Sequence, residues 1–305
     1  MIELNHSGYR AVILPERGGS CVDLSRWEAH ALRTPQDTAC FQHDPFLYGT
    51  PLLFFPNRIS GGRFTFEDRL YTLPVNEPAT GCFLHGTLHE TAFEVLRQRP
   101  DYAALGFRAT GRTPYLTFPH AFTLALEWAL NERGLHQKVT ITNDSDRNMP
   151  VALAFHTTFR LPFVPESDPA QIRLQLDTCA EFGRNMQTYL PDGRVWQDFP
   201  DRTALETGTF LPALQKISRL FRMGQRRQMR LTDPAAGLQI HYQVSDSYGY
   251  WMVYRAENAD YLCVEPQSWL SNCPNAPFDR YKHGFTWIAP GKTETYETQL
   301  SMERL

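Results

Sequence analysis

Residues 118–162 read FPHAFTLALEWALNERGLHQKVTITNDSDRNMPVALAFHTTFRLP. Phe122, Leu124, Leu126, Trp128 and Leu130 fall on one face of an extended chain. Thr123, Ala125, Glu127, Ala129 and Asn131 fall on the other. Residues 131–134 supply a turn, and a second alternating run passes through Leu135, Gln137, Val139 and Ile141. Asn143, Asp144, Ser145 and Asp146 form the next turn, and a third strand is expected over residues 151–159. Period-two alternation broken by turn residues is the pattern of an antiparallel meander. On the third strand Ala152, Ala154, His156 and Thr158 share a face, so two small residues beside a histidine leave room above the sheet.

Working outward, the pattern repeats. Strands are expected over residues 10–14, 21–27, 63–67, 70–73, 93–110, 238–244, 250–254, 261–266 and 284–300. Residues 34–50 read as a loop, and 163–235 as loops with short strands. Helical periodicity is scarce, with residues 211–221 the best candidate. The 22 prolines and 13% aromatic content fit a loop-rich sheet protein. No repeat or linker interrupts the 305 residues, so one all-β domain over 1–305 is expected.

Charge and composition narrow the function. A formal net charge of −3 gives no overall field for nucleic acid or an acidic membrane. No apolar run is long enough to span a bilayer, and the first residues carry no signal-peptide core. A cytoplasmic protein is the expectation. Six scattered cysteines lack C-x-x-C spacing, which argues against structural zinc and for reduced thiols. His85 and His89 have the spacing of a helical metal pair, but Gly86 and Thr87 disfavour that helix. Neither a metal nor an organic cofactor is expected.

Three further stretches carry chemistry. Residues 51–59, PLLFFPNRI, deliver Asn57 and Arg58 at the end of an apolar run. The pair either points into a site or sits on a loop where water or a carboxylate satisfies the arginine. His85 follows two large apolar residues and precedes a glycine, which marks a backbone turn. Glu265 ends the apolar run 261–266 just before Pro266. A carboxylate there is costly to bury unpaired, so it meets an arginine or has a chemical role. Arg219, Arg222, Arg226, Arg227 and Arg230 form a basic cluster, read as a solvated face or as an anion site.

In order along the chain, N-R at 57–58, L-H-G at 84–86, F-P-x-x-F at 118–122, M-P at 149–150, H-x-x-F at 156–159 and V-E-P at 264–266 resemble the aldose 1-epimerase (galactose mutarotase-like) family. The resemblance implies a large antiparallel β-sandwich with an open sugar-binding cleft on one sheet. It implies that Glu265 takes the proton from the C1 hydroxyl of an aldose and that His156 protonates the ring oxygen. The ring opens, C1 rotates, and closure gives the other anomer. His85, Arg58 and Asn57 would bind the small-molecule sugar. The family's D-x-x-F segment is matched only by Ser218-Arg219-Leu220-Phe221, with serine in place of aspartate. That departure leaves open a sugar-phosphate 1-epimerase, with the arginine cluster as its anion site, or a non-catalytic carbohydrate-binding relative.

Overall fold

The computed structural model describes residues 1–305. Its architecture rests on two eight-stranded antiparallel sheets, with a four-stranded sheet built from the first thirty residues beside them. The first large sheet contains the hairpin read from sequence. Phe122–Asn131 and Gly134–Asn143 pair along their whole length, from Phe122 opposite Asn143 to Asn131 opposite Gly134. Phe122, Leu124, Leu126, Trp128 and Leu130 are all buried, while the alternate residues are half-buried. The period-two pattern therefore has its expected cause: one face meets the core and the other meets solvent.

The meander does not continue into a third neighbouring strand. Gly134–Asn143 pairs on its far side with Thr293–Arg304, the last strand of the chain. The segment expected as one strand over 151–159 is three short ones, Met149–Val151, Ala154–Phe155 and Thr158–Arg160. The last two lie in the second large sheet. Residues 149–159 are buried without interruption, so no alternation with solvent fixes one register. The breaks serve a packing purpose: Ala154 pairs with Gln267 and Leu53, while Thr158 pairs with Cys263. The two sheets are also joined by a hydrogen bond, 3.0 Å, between the hydroxyls of Thr157 and Tyr242.

Two further expectations are corrected. Residues 211–221 are not helical. They hold a 3-10 turn, Pro212–Leu214, and the start of the strand Ile217–Met223. The helix of that region is Arg202–Thr207, ended by Gly208 in the left-handed conformation. Residues 34–50 are mainly loop, with one short helix at Cys40–His43.

The second large sheet carries the candidate site. Its central strands run in the order Thr178–Arg184, Ile217–Met223, Tyr250–Arg255, Tyr261–Gln267 and Ala154–Phe155. The N-terminal half of the chain joins this sheet through Leu52–Leu53, and the next residue, Phe54, is packed against a tight turn at Gly86, which has φ +72°. A Cβ there would stand 2.2 Å from the Phe54 carbonyl oxygen and 2.2 Å from the Tyr115 hydroxyl. That hydroxyl already donates to Phe54 O at 2.7 Å and accepts from the Thr87 N–H at 2.9 Å. Gly86→Ala is therefore expected to lower stability by about 1–3 kcal/mol, the usual range for overpacking. Urea denaturation is the measurement, with Gly111→Ala as control, since nothing lies within 4 Å of a Cβ there. An unchanged urea midpoint for Gly86→Ala would refute the packing argument.

Candidate active site

Strand register places the site residues in a row. Arg184 ends its strand on the same face as buried Phe182 and Ala180. The next strands contribute Ser218, then Met252 and Tyr254, then Glu265, which is directly opposite Met252. His156 follows from the neighbouring segment, where its N–H donates to Pro51 O at 2.9 Å. A separate pair of short strands, Arg58–Ser60 and Cys82–Leu84, brings Asn57, Arg58 and His85 to the same place. All of these residues line one open cleft of about 430 Å³. That size suits a small polar molecule.

The structure thus brings together all five residues singled out from sequence. Glu265 and His156 form the centre. The His156 Nε2 and Glu265 Oε1 atoms are 3.4 Å apart, with the residues only 6% and 2% exposed. Burial pushes the Glu265 carboxyl up to about 8, against the opposing pull of Gln267, Arg184 and Arg58. The Gln267 amide donates to Oε2 at 3.2 Å. Burial also pushes the His156 imidazole down to about 3. Both shifts have one cause: an apolar surround disfavours whichever form is charged. Burial thus favours the neutral carboxyl and the neutral imidazole over the charged pair.

Asn57 and His85 fix each other. The His85 N–H donates to Asn57 O at 3.1 Å, and the Asn57 N–H donates to His85 Nδ1 at 3.2 Å. Nδ1 is therefore an acceptor, so the neutral ring carries its proton on Nε2. Both residues have left-handed backbones, φ 58° and 60°, which non-glycine residues adopt sparingly. The Asn57 side-chain oxygen accepts from the Ser271 hydroxyl at 3.0 Å and from the Arg58 N–H at 3.1 Å. Its amide nitrogen has no protein partner and remains available to a ligand.

Arg58 is more committed than the sequence reading implied. Its guanidinium makes a two-pronged ion pair with Glu77, with Nε to Oε2 at 2.6 Å and Nη2 to Oε1 at 2.5 Å. Burial pushes the Glu77 carboxyl up, and Arg58 and Thr80 more than offset it, leaving it below its ordinary range. The carboxylate balanced by Arg58 is thus chiefly Glu77. Arg184, missed in the sequence, is the other guanidinium acting on Glu265. It lay in a segment read as loops, and the alternation of Ala180, Phe182 and Arg184 was the available signal.

Other sequence readings are redirected. Trp251 and Trp269 are fully buried away from the cleft, and Phe278 lies against Phe182 and His283. The aromatic rings at the site are Phe46, Tyr189 and Tyr254. Phe46 comes from the loop preceding the second sheet, and its ring lies 4.7 Å from His85, 4.4 Å from His89 and 5.9 Å from His156. His85 and His89 do not form a helical pair; His89 sits on a 3-10 turn, Leu88–Glu90. The arginine cluster does not assemble at the cleft. Arg219 is paired with Glu181 and Asp201, Arg226 is 3.7 Å from Asp177, and Arg227 is 3.6 Å from Asp246.

Opposed sheets with a buried carboxyl–imidazole pair on one face describe a mutarotase-like β-sandwich. The family model for aldose 1-epimerase matches residues 1–301, and the chain belongs to that family. A galactose mutarotase-like protein from Clostridium acetobutylicum is 27% identical, with a TM-score of 0.93 over 99% of this chain and 95% of that one. The GalM/aldose epimerase homologue from C. elegans shares the fold at 17% identity, with a TM-score of 0.80 over 100% of this chain and 98% of that one. The Escherichia coli K12 protein YphB is 23% identical over 279 residues, covering 88% of this chain and 85% of that protein. No helix is long and apolar enough to cross a membrane.

Burial makes this site a determinant of stability against pH. His85 is held well below its ordinary range by burial, then by His156 and Arg58, and His89 is pushed down to about 4 by burial and Arg17. Unfolded imidazoles take protons near 6.5, whereas His85, His89 and His156 in the fold resist until far lower pH. The unfolded state then binds more protons, so stability is full above pH 6.5 and falls as pH drops. Each histidine contributes up to about 1.4 kcal/mol per pH unit within its window. Glu265 has the opposite sign: its raised value favours the fold below pH 4.5, and that contribution is lost as pH rises to about 8. Tm followed against pH should peak between these limbs. Glu265→Gln should flatten the alkaline limb and leave the acid limb in place.

Proposed function

We propose that this protein interconverts the α and β anomers of an aldose by general acid–base ring opening. The observation that carries this reading is the buried Glu265–His156 pair, with Nε2 and Oε1 3.4 Å apart within a sugar-sized cleft. Anomer exchange needs one proton taken from the C1 hydroxyl and one given to the ring oxygen. A single carboxylate and a single imidazolium meet that need, and each contributes about 10²–10⁴-fold. Glu265 acts as base and His156 as acid.

The resting pair carries its proton on Glu265, so the productive arrangement is the tautomer with Glu265 ionised and His156 protonated. Bound sugar favours that tautomer in two ways. Its C1 hydroxyl donates to the carboxylate, and its ring oxygen accepts from the imidazolium. The positive charges of Arg184 and Arg58 further favour the carboxylate. Once the ring is open, the proton inventory again matches the resting state. C1 then rotates, and the same two transfers run backward to close the other anomer. His85 presents its Nε2–H, and Asn57 its free amide nitrogen, to sugar hydroxyls. Phe46 closes the site over the three histidines and excludes water from the transfers.

Polarimetry of freshly dissolved α-glucose and α-galactose tests the reaction. Wild type should accelerate exchange, and Glu265→Gln should lose at least about 10²-fold in kcat, as expected for a removed base. His156→Gln should lose a similar factor. Wild-type exchange unchanged in Glu265→Gln would sink the assignment.

The pH profile separates the roles. The active form bears one proton on the pair, so kcat/KM should fall as pH rises through about 8 and that last proton leaves. A profile that instead climbs through pH 8 would assign the chemistry to the Glu265 carboxylate alone, with His156 as a neutral donor.

A further inference from the structure

Arg184 is a buried cation on the cleft wall, 8% exposed, with no carboxylate paired to it. Its Nε donates to Tyr189 O at 3.0 Å. Its Nη1 donates to the Ser218 hydroxyl at 2.9 Å and to Ser218 O at 3.4 Å, with Met252 Sδ at 3.5 Å. None of these acceptors is charged, and Nη2 has no protein partner. Burying a guanidinium against neutral acceptors is unfavourable, and the imbalance is removed when an anion arrives.

The surrounding charges sharpen the point. Arg58 is neutralised by Glu77, and Asp44 lies 3.6 Å from Arg33. Glu265 is the remaining carboxyl of the cleft, and its oxygens face His156 and the Gln267 amide. Lys216, also on the cleft wall, is exposed and forms no ion pair. It lies two residues before Ser218 along the same extended segment, so both face the cleft. The wall beside Arg184 therefore presents two cations, neither of which forms an ion pair with a carboxylate of the protein.

The positions are also held rigidly. The Tyr189 ring lies 5.6 Å from the Arg184 guanidinium carbon and 4.9 Å from that of Arg58. Tyr189 has a left-handed backbone, φ 59°, and that conformation turns its carbonyl onto Arg184. A guanidinium fixed in this way is suited to planar, oxygen-rich anions.

We propose that the sugar taken by this cleft carries an anionic substituent, a carboxylate or a phosphate, which Arg184 binds with Lys216 beside it. This rests on the anomer-exchange reading for the reaction but not for the binding. No bond is made or broken at the anion, which serves to orient the ring over Glu265 and His156. The arginines at 222–230 take no part, since they lie outside the cleft.

The test compares each neutral sugar with its acidic counterparts: glucose with glucuronate and glucose 6-phosphate, galactose with galacturonate and galactose 6-phosphate. Anomer exchange is read by NMR, and binding is read independently by calorimetry at low salt. One acidic series should exceed its neutral parent at least tenfold in kcat/KM and in affinity, and which series does so identifies carboxylate or phosphate. Arg184→Gln should reduce that ratio at least tenfold, about the worth of one charge-assisted hydrogen bond. Ser218→Asp, on a half-buried residue, places a carboxylate against Arg184 and should abolish the preference even if Arg184→Gln folds poorly. Lys216→Ala should reduce it more modestly. Neutral and acidic sugars exchanged and bound alike would overturn the proposal while leaving the acid–base reading intact. Arg184-dependent binding of an acidic sugar without exchange would support the proposal and refute the reaction instead.

Discussion

A carboxyl and an imidazole buried together in an apolar sheet set the terms for this molecule. Neither Glu265 nor His156 keeps its charge easily there, so burial drives each toward its neutral form. That is an unstable thing to build from loops, because a small displacement would let water in and restore ordinary behaviour. The structure places both groups on adjacent segments of one sheet, with Glu265 opposite Met252 and the His156 N–H donating to Pro51 O. Val264 N–H donates to Thr157 O at 3.0 Å, and Thr157 in turn reaches Tyr242 in the opposite sheet. The first large sheet thus acts as the backing that keeps the pair in register.

Against that rigid floor, the opposite rim is made of strained backbone. Asn57, His85 and Tyr189 all have positive φ, and each turns a polar group toward the cleft or toward a residue that lines it. Such conformations persist where surrounding hydrogen bonds over-determine them. The mutual bonds of Asn57 and His85 supply this on one side, and the bond from Arg184 to the Tyr189 carbonyl supplies it on the other.

How much of this was legible depends on where local pattern and tertiary demand agree. The hairpin 122–143 was readable because one face is wet and one dry, so alternation records the packing directly. Residues 149–159 defeated the same reading because both faces are dry, and their breaks answer to partners such as Leu53 and Cys263, far away in sequence. Glu265, His156, His85, Asn57 and Arg58 stood out as polar residues ending apolar runs, a local signal. Arg184 ends a strand in the same way, but it lay between turn-rich segments that masked the alternation. The commitment of Arg58 to Glu77 could not be read at all, since nothing local links residues 19 apart across a turn. The same holds for Phe46, whose ring reaches the site only because its loop folds back over the sheet.

The position of the last strand has a consequence for how the protein comes into being. Thr293–Arg304 does not sit at a sheet edge; it pairs with Gly134–Asn143 on one side and Leu238–Val244 on the other. During vectorial synthesis the hairpin 122–143 can form early, but its outer edge stays unpaired until residues 293–304 have been made. An open apolar sheet edge is an invitation to association with other chains. That edge is therefore open for as long as translation of the segment between the two strands takes, however fast the hairpin itself collapses.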